Sequence, residues 1–341
     1  MDDHASAGRD CVTMGGSRAS HHRFDEDDIR IRPARSTKPR SKERPQHLDA
    51  TQARVITIDR GRITCATEDG TRFFAVTARE LGRRSVVVGD IVHVVASPIS
   101  DQAREDLARI VRIDERRNAL RRSAEDGSER VLVANVDFLA IVSANTNPEP
   151  KHGFVNRALV AAFTENITPI LVMTKNDLAC DSKFLAVYQA LQVPAFQVRM
   201  DTIPTDLIEF ISGKVTVLIG HSGVGKSTLI NNLSASSARA TGEVNEVTGK
   251  GRHTSSSAFA IELPKGGWII DTPGVRSFGL SHVTSEDVLA AFPDCAEVAK
   301  NCQKNCSHNE TDCALNLWAA GEPHREERIA ALRQILDSLI R

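Results

Sequence analysis

The segment Gly220-His221-Ser222-Gly223-Val224-Gly225-Lys226-Ser227-Thr228 constrains this chain more than any other. It fits G-x-x-x-x-G-K-[ST], with the apolar run Val215–Ile219 before it and a helix-like stretch to Leu233 after it. A buried strand that turns through glycines into a helix leaves backbone N–H groups converging on one point. The helix N-terminus adds partial positive charge there, and the nest so formed holds phosphate. Lys226 is placed to bridge a β- and a γ-phosphate, and Ser227 to ligand Mg²⁺. Such a loop belongs to a mostly parallel, doubly wound sheet, whose other functional residues stand at the carboxyl ends of strands.

The texture from Asn135 to Leu280 agrees. Val136–Ser143 and Pro169–Thr174 are near-continuous apolar strands, and Phe154–Phe163 and Phe184–Leu191 carry helical spacing. Phe259–Leu263 and Trp268–Ile270 supply further buried strands. Asp271-Thr272-Pro273-Gly274 follows the last of them. Asp271 there reads as the Mg²⁺-side carboxylate, with the Gly274 N–H aimed at the γ-phosphate. Thr174-Lys175-Asn176-Asp177 ends the strand from Pro169. A carboxylate at Asp177 accepts from guanine N1–H and the exocyclic amine, with the Lys175 stem over the base. Adenine lacks that donor pair and would strand the carboxylate. The base motif precedes the phosphate loop and D-x-x-G comes last, whereas a small GTPase runs phosphate loop, switch threonine, D-x-x-G and then the base motif. Circular permutation accounts for that order, because new termini are tolerated where native ends lie close.

Ahead of this region, residues 1 to about 50 hold almost no aliphatic content and are expected to be disordered. Acidic Asp25–Asp28 gives way there to a basic run from Arg30 to Arg44, which would release counterions from a phosphate backbone. The whole chain is not a basic nucleic-acid binder, since 43 Lys+Arg face 44 Asp+Glu. From Arg54 to Ile113 six β-branched runs, Val86–Val88 among them, predict a small barrel, an OB-fold ahead of an SH3-like one. Its few aromatics (Phe73, Phe74) argue against reading single strands, and Arg62, Arg72, Arg79, Arg83 and Arg84 fit structured RNA better.

The chain has no apolar run of about 18 residues and no export signal at its start, which predicts a cytoplasmic protein with reduced thiols. Cys302-x₃-Cys306-x-His308-x₄-Cys313 offers three thiolates and an imidazole, a closed set for one structural Zn²⁺, with Cys295 in reserve. The last helix, from about Glu326, is expected to pack on that module.

Taken together, these motifs resemble the circularly permuted ribosome small-subunit-dependent GTPases of bacteria. The likeness covers roughly residues 51–341 and is carried also by Arg117–Arg122, Asn135-Val136-Asp137 and Gly249–Ser255. It implies an OB barrel, a permuted α/β P-loop GTPase and a small helical zinc domain, at 51–115, 116–283 and 284–341 behind the arm 1–50. It also implies hydrolysis of GTP to GDP stimulated by the small ribosomal subunit, late in that particle's maturation, with rRNA contacts and no membrane. A monomer is expected. Gly249–Ser255 would be the switch, with Thr254 (or Ser255) giving the second Mg²⁺ hydroxyl. Where many GTPases keep a water-orienting glutamine after D-x-x-G, this chain has Val275, which points to slow intrinsic turnover and to His253 as the orienting group. The family's zinc spacing is one residue longer in both outer gaps, and its Ser-Ala base loop is replaced here by Phe196–Asp201. Val275 and that loop leave an RNA-binding scaffold that holds nucleotide without hydrolysis as the rival function.

Overall fold

The first five strands owe their form to alternating burial of β-branched residues. They are β1 (Thr51–Asp59), β2 (Arg62–Ala66), β3 (Arg72–Thr77), β4 (Ile91–Val95) and β5 (Ala108–Ile113). The computed structural model describes residues 47, 49–59, 61–81, 86–95, 107–123, 129–241, 258–272, 278, 280 and 283–339. The arm with Arg30–Arg44, and Arg83 and Arg84, lie outside the described residues. Pairing runs β1–β2–β3–β5–β4 and closes β4 back onto β1, with β3–β5 the parallel pair. Val55, Ile63, Cys65, Ala75, Val92 and Ile110 fill the interior. The strand order is that of an OB barrel.

Val86–Val88 is not one of its strands. The Asp90 carboxylate takes the Val87 N–H at 2.8 Å, and only Val88 forms a bridge, to Val133. Beside it Gly89 has φ +92°, and a Cβ there would stand 2.1 Å from the Ala134 carbonyl oxygen. The segment is spent on a close backbone contact instead of a ladder. Val133 belongs to a hairpin of β6 (Ala119–Ser123) and β7 (Glu129–Ala134) that links the barrel to the larger sheet.

That sheet contains β8 (Phe138–Ala144), β9 (Thr168–Thr174), β10 (Ala195–Gln197), β11 (Val215–Ile219), β12 (Phe259–Glu262) and β13 (Trp268–Asp271). Their spatial order is β10-β9-β8-β11-β13-β12, parallel except for β12. Thr57 pairs with Phe259, so barrel strand β1 extends the same sheet. Two apolar layers cover its faces. The helices between strands are α1 (His152–Thr164), α2 (Ser182–Ala190), α3 (Thr205–Ile211) and α4 (Lys226–Thr241).

Four helices follow: α5 (Ser285–Ala290), α6 (Pro293–Ala299), α7 (Ala314–Ala319) and α8 (Pro323–Asp337). A capping box between Thr284 and Asp287 starts α5. The last helix packs on α7 as expected, equally on α2, and to a lesser extent on α1. Asn156 Nδ2 donates to Gln334 O at 3.0 Å, and Arg328 Nη1 donates to Ala190 O at 2.9 Å. Ile329, Leu332 and Ile335 share one core with Leu159 and Tyr188, so the C-terminal helices have no core of their own. Among the described residues no helix is long and apolar enough to cross a membrane.

Candidate functional site

β11 is buried along its whole length and delivers Gly220 to the carboxyl edge of the sheet. A Cβ on Gly220 would lie 2.4 Å from Val142 O, so glycine is what lets the loop leave beside β8. Val224 points into the core, while Ser222, Ser227 and Thr228 are exposed at the mouth of the loop. Lys226 opens α4 and folds back, its Nζ donating to Gly220 O at 2.5 Å and His221 O at 3.2 Å. The His221 ring stacks on Phe154 of α1 at 4.4 Å.

Asp271 is beside this loop because β13 pairs with β11 through Leu218↔Asp271. Thr272 Oγ1 donates to Leu218 O at 2.7 Å and pins the turn that follows. Burial pushes the Asp271 carboxyl up, against the pull of Lys226; burial likewise pushes the Lys226 ammonium down, against Asp271. Asp271 Oδ1 is buried without a hydrogen-bond partner. A buried carboxylate oxygen left open beside a half-buried lysine and exposed hydroxyls suits a divalent cation carried by phosphates.

The base motif reaches the same place from β9. Thr174 Oγ1 donates to Val224 O at 2.5 Å, and the next residue, Gly225, takes the left-handed backbone (φ +97°) that favours glycine. Two segments separated by some fifty residues therefore touch directly. Lys175, with φ +57°, donates its Nζ to Asn147 O. Asn176 N–H donates to Val198 O at 3.2 Å, and its buried Oδ1 has no partner. Asp177 is exposed, and its Oδ1 accepts the Met200 N–H at 3.2 Å. The replaced 196–201 loop thus meets the carboxylate through its main chain.

Asn145 and Asn147 escaped the sequence reading. Asn145 holds Thr174 O through its backbone N–H (3.0 Å) and Nδ2 (3.1 Å), and its Oδ1 takes the Asp181 N–H that starts α2. Their signal was position, a polar run directly after the buried strand β8. His253, Thr254 and Ser255 with the rest of Gly249–Ser255, and Pro273, Gly274 and Val275, lie outside the described residues.

The cysteine cluster forms a second centre. One ligand atom each from Cys302, Cys306, His308 and Cys313 lies within 4.8 Å of the others. Cys302 Sγ is 3.7 Å from both Cys313 Sγ and His308 Nδ1, and Cys313 Sγ is 3.8 Å from His308 Nδ1. A tetrahedron with Zn–S bonds of about 2.3 Å has edges of about 3.8 Å, so the donor set fits zinc. Burial pushes the His308 imidazole down toward the neutral form a metal needs. Left-handed backbone at Asn305 and His308 turns the chain within the two shortened gaps. Cys295 is buried on α6 and stands outside the group.

The sheet order, the phosphate loop and a base motif upstream of it define a circularly permuted P-loop GTPase. The family model for RsgA GTPase matches residues 113–281. A small ribosomal subunit biogenesis GTPase RsgA of Alcanivorax borkumensis is 37% identical over 264 residues, covering 74% of this chain and 73% of the relative. The protein of the same name from Pseudomonas savastanoi is 36% identical over 238 residues, covering 66% and 68%. Among solved structures, YjeQ from Thermotoga maritima has TM-score 0.59 at 22% identity, covering 84% of this chain and 98% of that one. YloQ, a circularly permuted GTPase, has TM-score 0.60 at 22% identity, covering 86% and 98%. The chain belongs to the RsgA GTPase family and is a GTP hydrolase.

Proposed function

We propose that this chain hydrolyses GTP when it docks on the small ribosomal subunit and acts late in the maturation of that particle. The observation that carries the reading is the direct bond from Thr174 of the base motif to Val224 of the phosphate loop, which supports both segments gripping one nucleotide. The relatives' printed name supports the partner. In this reading Asp177 selects guanine, with Thr174 and Asn176 shaping its loop and Lys175 along the base. Main-chain N–H groups from Gly220 to Thr228 enclose the phosphates, including those of His221, Ser222, Gly223, Val224 and Gly225. Lys226 leaves its two carbonyl partners for the phosphate oxygens and stabilises charge that builds there. Ser227, Thr254 and Asp271 serve the Mg²⁺ side, Gly274 the γ-phosphate, and His253 orients the attacking water. Bound Mg²⁺ neutralises negative charge developing between the phosphates.

The Cys302, Cys306, His308 and Cys313 set holds one structural zinc. Arm, barrel, permuted GTPase and zinc domain divide at residues 50, 115 and 283, and the protein works as a cytoplasmic monomer. The barrel, the zinc module and Arg30–Arg44 meet rRNA, with Arg62 stacked on half-exposed Phe74 at 5.0 Å as one available surface. The test is phosphate release from GTP with purified small subunits added or omitted. Stimulation of at least about tenfold supports the proposal, a rate gain well inside what GTPase partners supply. GTP binding with no turnover in either arm supports the scaffold instead.

A further inference from the structure

Asn232 lies on α4 within two turns of Lys226, and its Nδ2 donates to Met200 O at 2.9 Å. The Met200 N–H in turn donates to Asp177 Oδ1. Val198, two residues earlier, is fixed to β9 by its N–H to Met173 O (2.7 Å) and by its carbonyl to Asn176 N–H. The 198–200 segment is therefore clamped from the strand on one side and from the phosphate-loop helix on the other.

We infer that Asn232 is a positioning residue for guanine selection: it holds the Met200 main chain so that the Met200 N–H orients the Asp177 carboxylate toward the base. The inference rests on the reading of Thr174–Asp177 as the guanine motif and deepens it. A carboxylate on an exposed loop turns broadly about its last torsion, and a tilted one meets only one of guanine's two donors. A hydrogen bond to one oxygen removes that freedom. Arg199 and Met200 offer no hydroxyl for the purpose, so the donor is main chain, and its place has to be secured from elsewhere. Asn232 secures it from the helix that carries Lys226, which refers the base grip and the phosphate grip to one rigid element.

The experiment uses the full chain and compares affinities for GDP and for IDP, whose base lacks the exocyclic amine. Asn232→Asp keeps the shape and removes the donor; Asn232→Ala is the second variant. In Asn232→Asp the GDP-over-IDP preference should fall by about tenfold, the size of one hydrogen bond to a charged group, with IDP affinity changed by less than about threefold. Proportional loss of both nucleotides in both variants, with the ratio intact, means Asn232 only braces the helix and overturns the inference. Asp177→Asn is measured beside them. If it keeps the wild-type ratio, the base-site reading itself falls. If it loses the ratio while both Asn232 variants keep it, only the role of Asn232 falls.

Discussion

Thr174→Val deletes one oxygen where the base loop meets the phosphate loop and leaves the shape of the side chain unchanged. Thr174 is 5% exposed at the last position of β9. Its hydroxyl has a single proton, and the geometry gives that proton to Val224 O at 2.5 Å rather than to Ser143 O at 3.3 Å. Valine is also β-branched and fills the same volume, so neither a cavity nor a lost strand preference enters the balance. What remains is a buried carbonyl without its donor, a cost of about 1–3 kcal/mol. Urea unfolding should show that loss.

The same carbonyl belongs to the peptide that carries the Gly225 N–H, one residue before α4, so nucleotide affinity should fall as well. If about 1.4 kcal/mol of the loss is expressed at the site, GDP binding weakens about tenfold. Titration of a fluorescent GDP analogue measures this. Thr174→Ser keeps the hydroxyl and loses a methyl group, and should bind nearly as wild type. Equal losses in the serine and valine variants would assign the effect to packing. Unchanged stability and affinity in Thr174→Val would refute the mechanical link between the two loops.

Gly220→Ala should cost about 1–3 kcal/mol of stability in urea unfolding, because its Cβ meets Val142 O at 2.4 Å and backbone cannot yield cheaply. Asp271→Asn should leave the melting temperature of the nucleotide-free protein equal or higher, since burial disfavours the charge there, while Mg²⁺-dependent GTP binding is lost. Burial pushes the Asp294 carboxyl up, but bonds from Arg328 at 2.7 and 2.9 Å outweigh it and hold the group below its usual range. A depressed carboxyl stabilises the fold above its unfolded value and loses that contribution as pH falls through the folded one. Wild type should therefore lose an increment of stability below about pH 4 that Asp294→Asn never had. If the cluster holds the proposed zinc, chelation should release one ion per chain and shift the fluorescence of Trp318, which lies under Arg325 at 4.8 Å on α7, the helix that follows Cys313. An unmoved spectrum after verified metal loss would argue against a structural zinc.

What could be read from the chain alone was chemistry tied to local spacing. Gly220–Ser227, Thr174–Asp177 and the four zinc-type ligands are legible because phosphate, guanine and a tetrahedral ion each demand particular residue types at short intervals. Contacts between distant segments leave no such trace. The Thr57–Phe259 pair that joins the barrel to the sheet looks in sequence like two ordinary strand positions. The β6–β7 hairpin was invisible because its buried positions are few, Ala119 and Leu120 facing Val133 and Ala134. Val86–Val88 misled for the opposite reason: its composition is a strand's, but the neighbouring Asp90 carboxylate and the tight Gly89 contact take its backbone elsewhere.

The permutation shows why motif order in the chain is a weak guide while position in the sheet is a strong one. The site is assembled from the carboxyl ends of β8, β9, β11 and β13, which are neighbours in space whatever loops connect them. Moving the termini leaves those neighbours in place but changes what is attached to them. In this chain β13, which carries Asp271, continues within thirteen residues to the cap of α5 and then to the cysteine cluster. Phe278, on that path, faces Phe154 at 6.1 Å, and Phe154 itself stacks on His221 of the phosphate loop. The barrel joins the sheet at its far edge through β12, whose Phe259 pairs with Asp271 on one side and with Thr57 of β1 on the other. Asp271 is therefore tied to the barrel by two ladder pairs through Phe259 and to the C-terminal helices by its own chain, so the permutation places both flanking modules within reach of the same carboxylate.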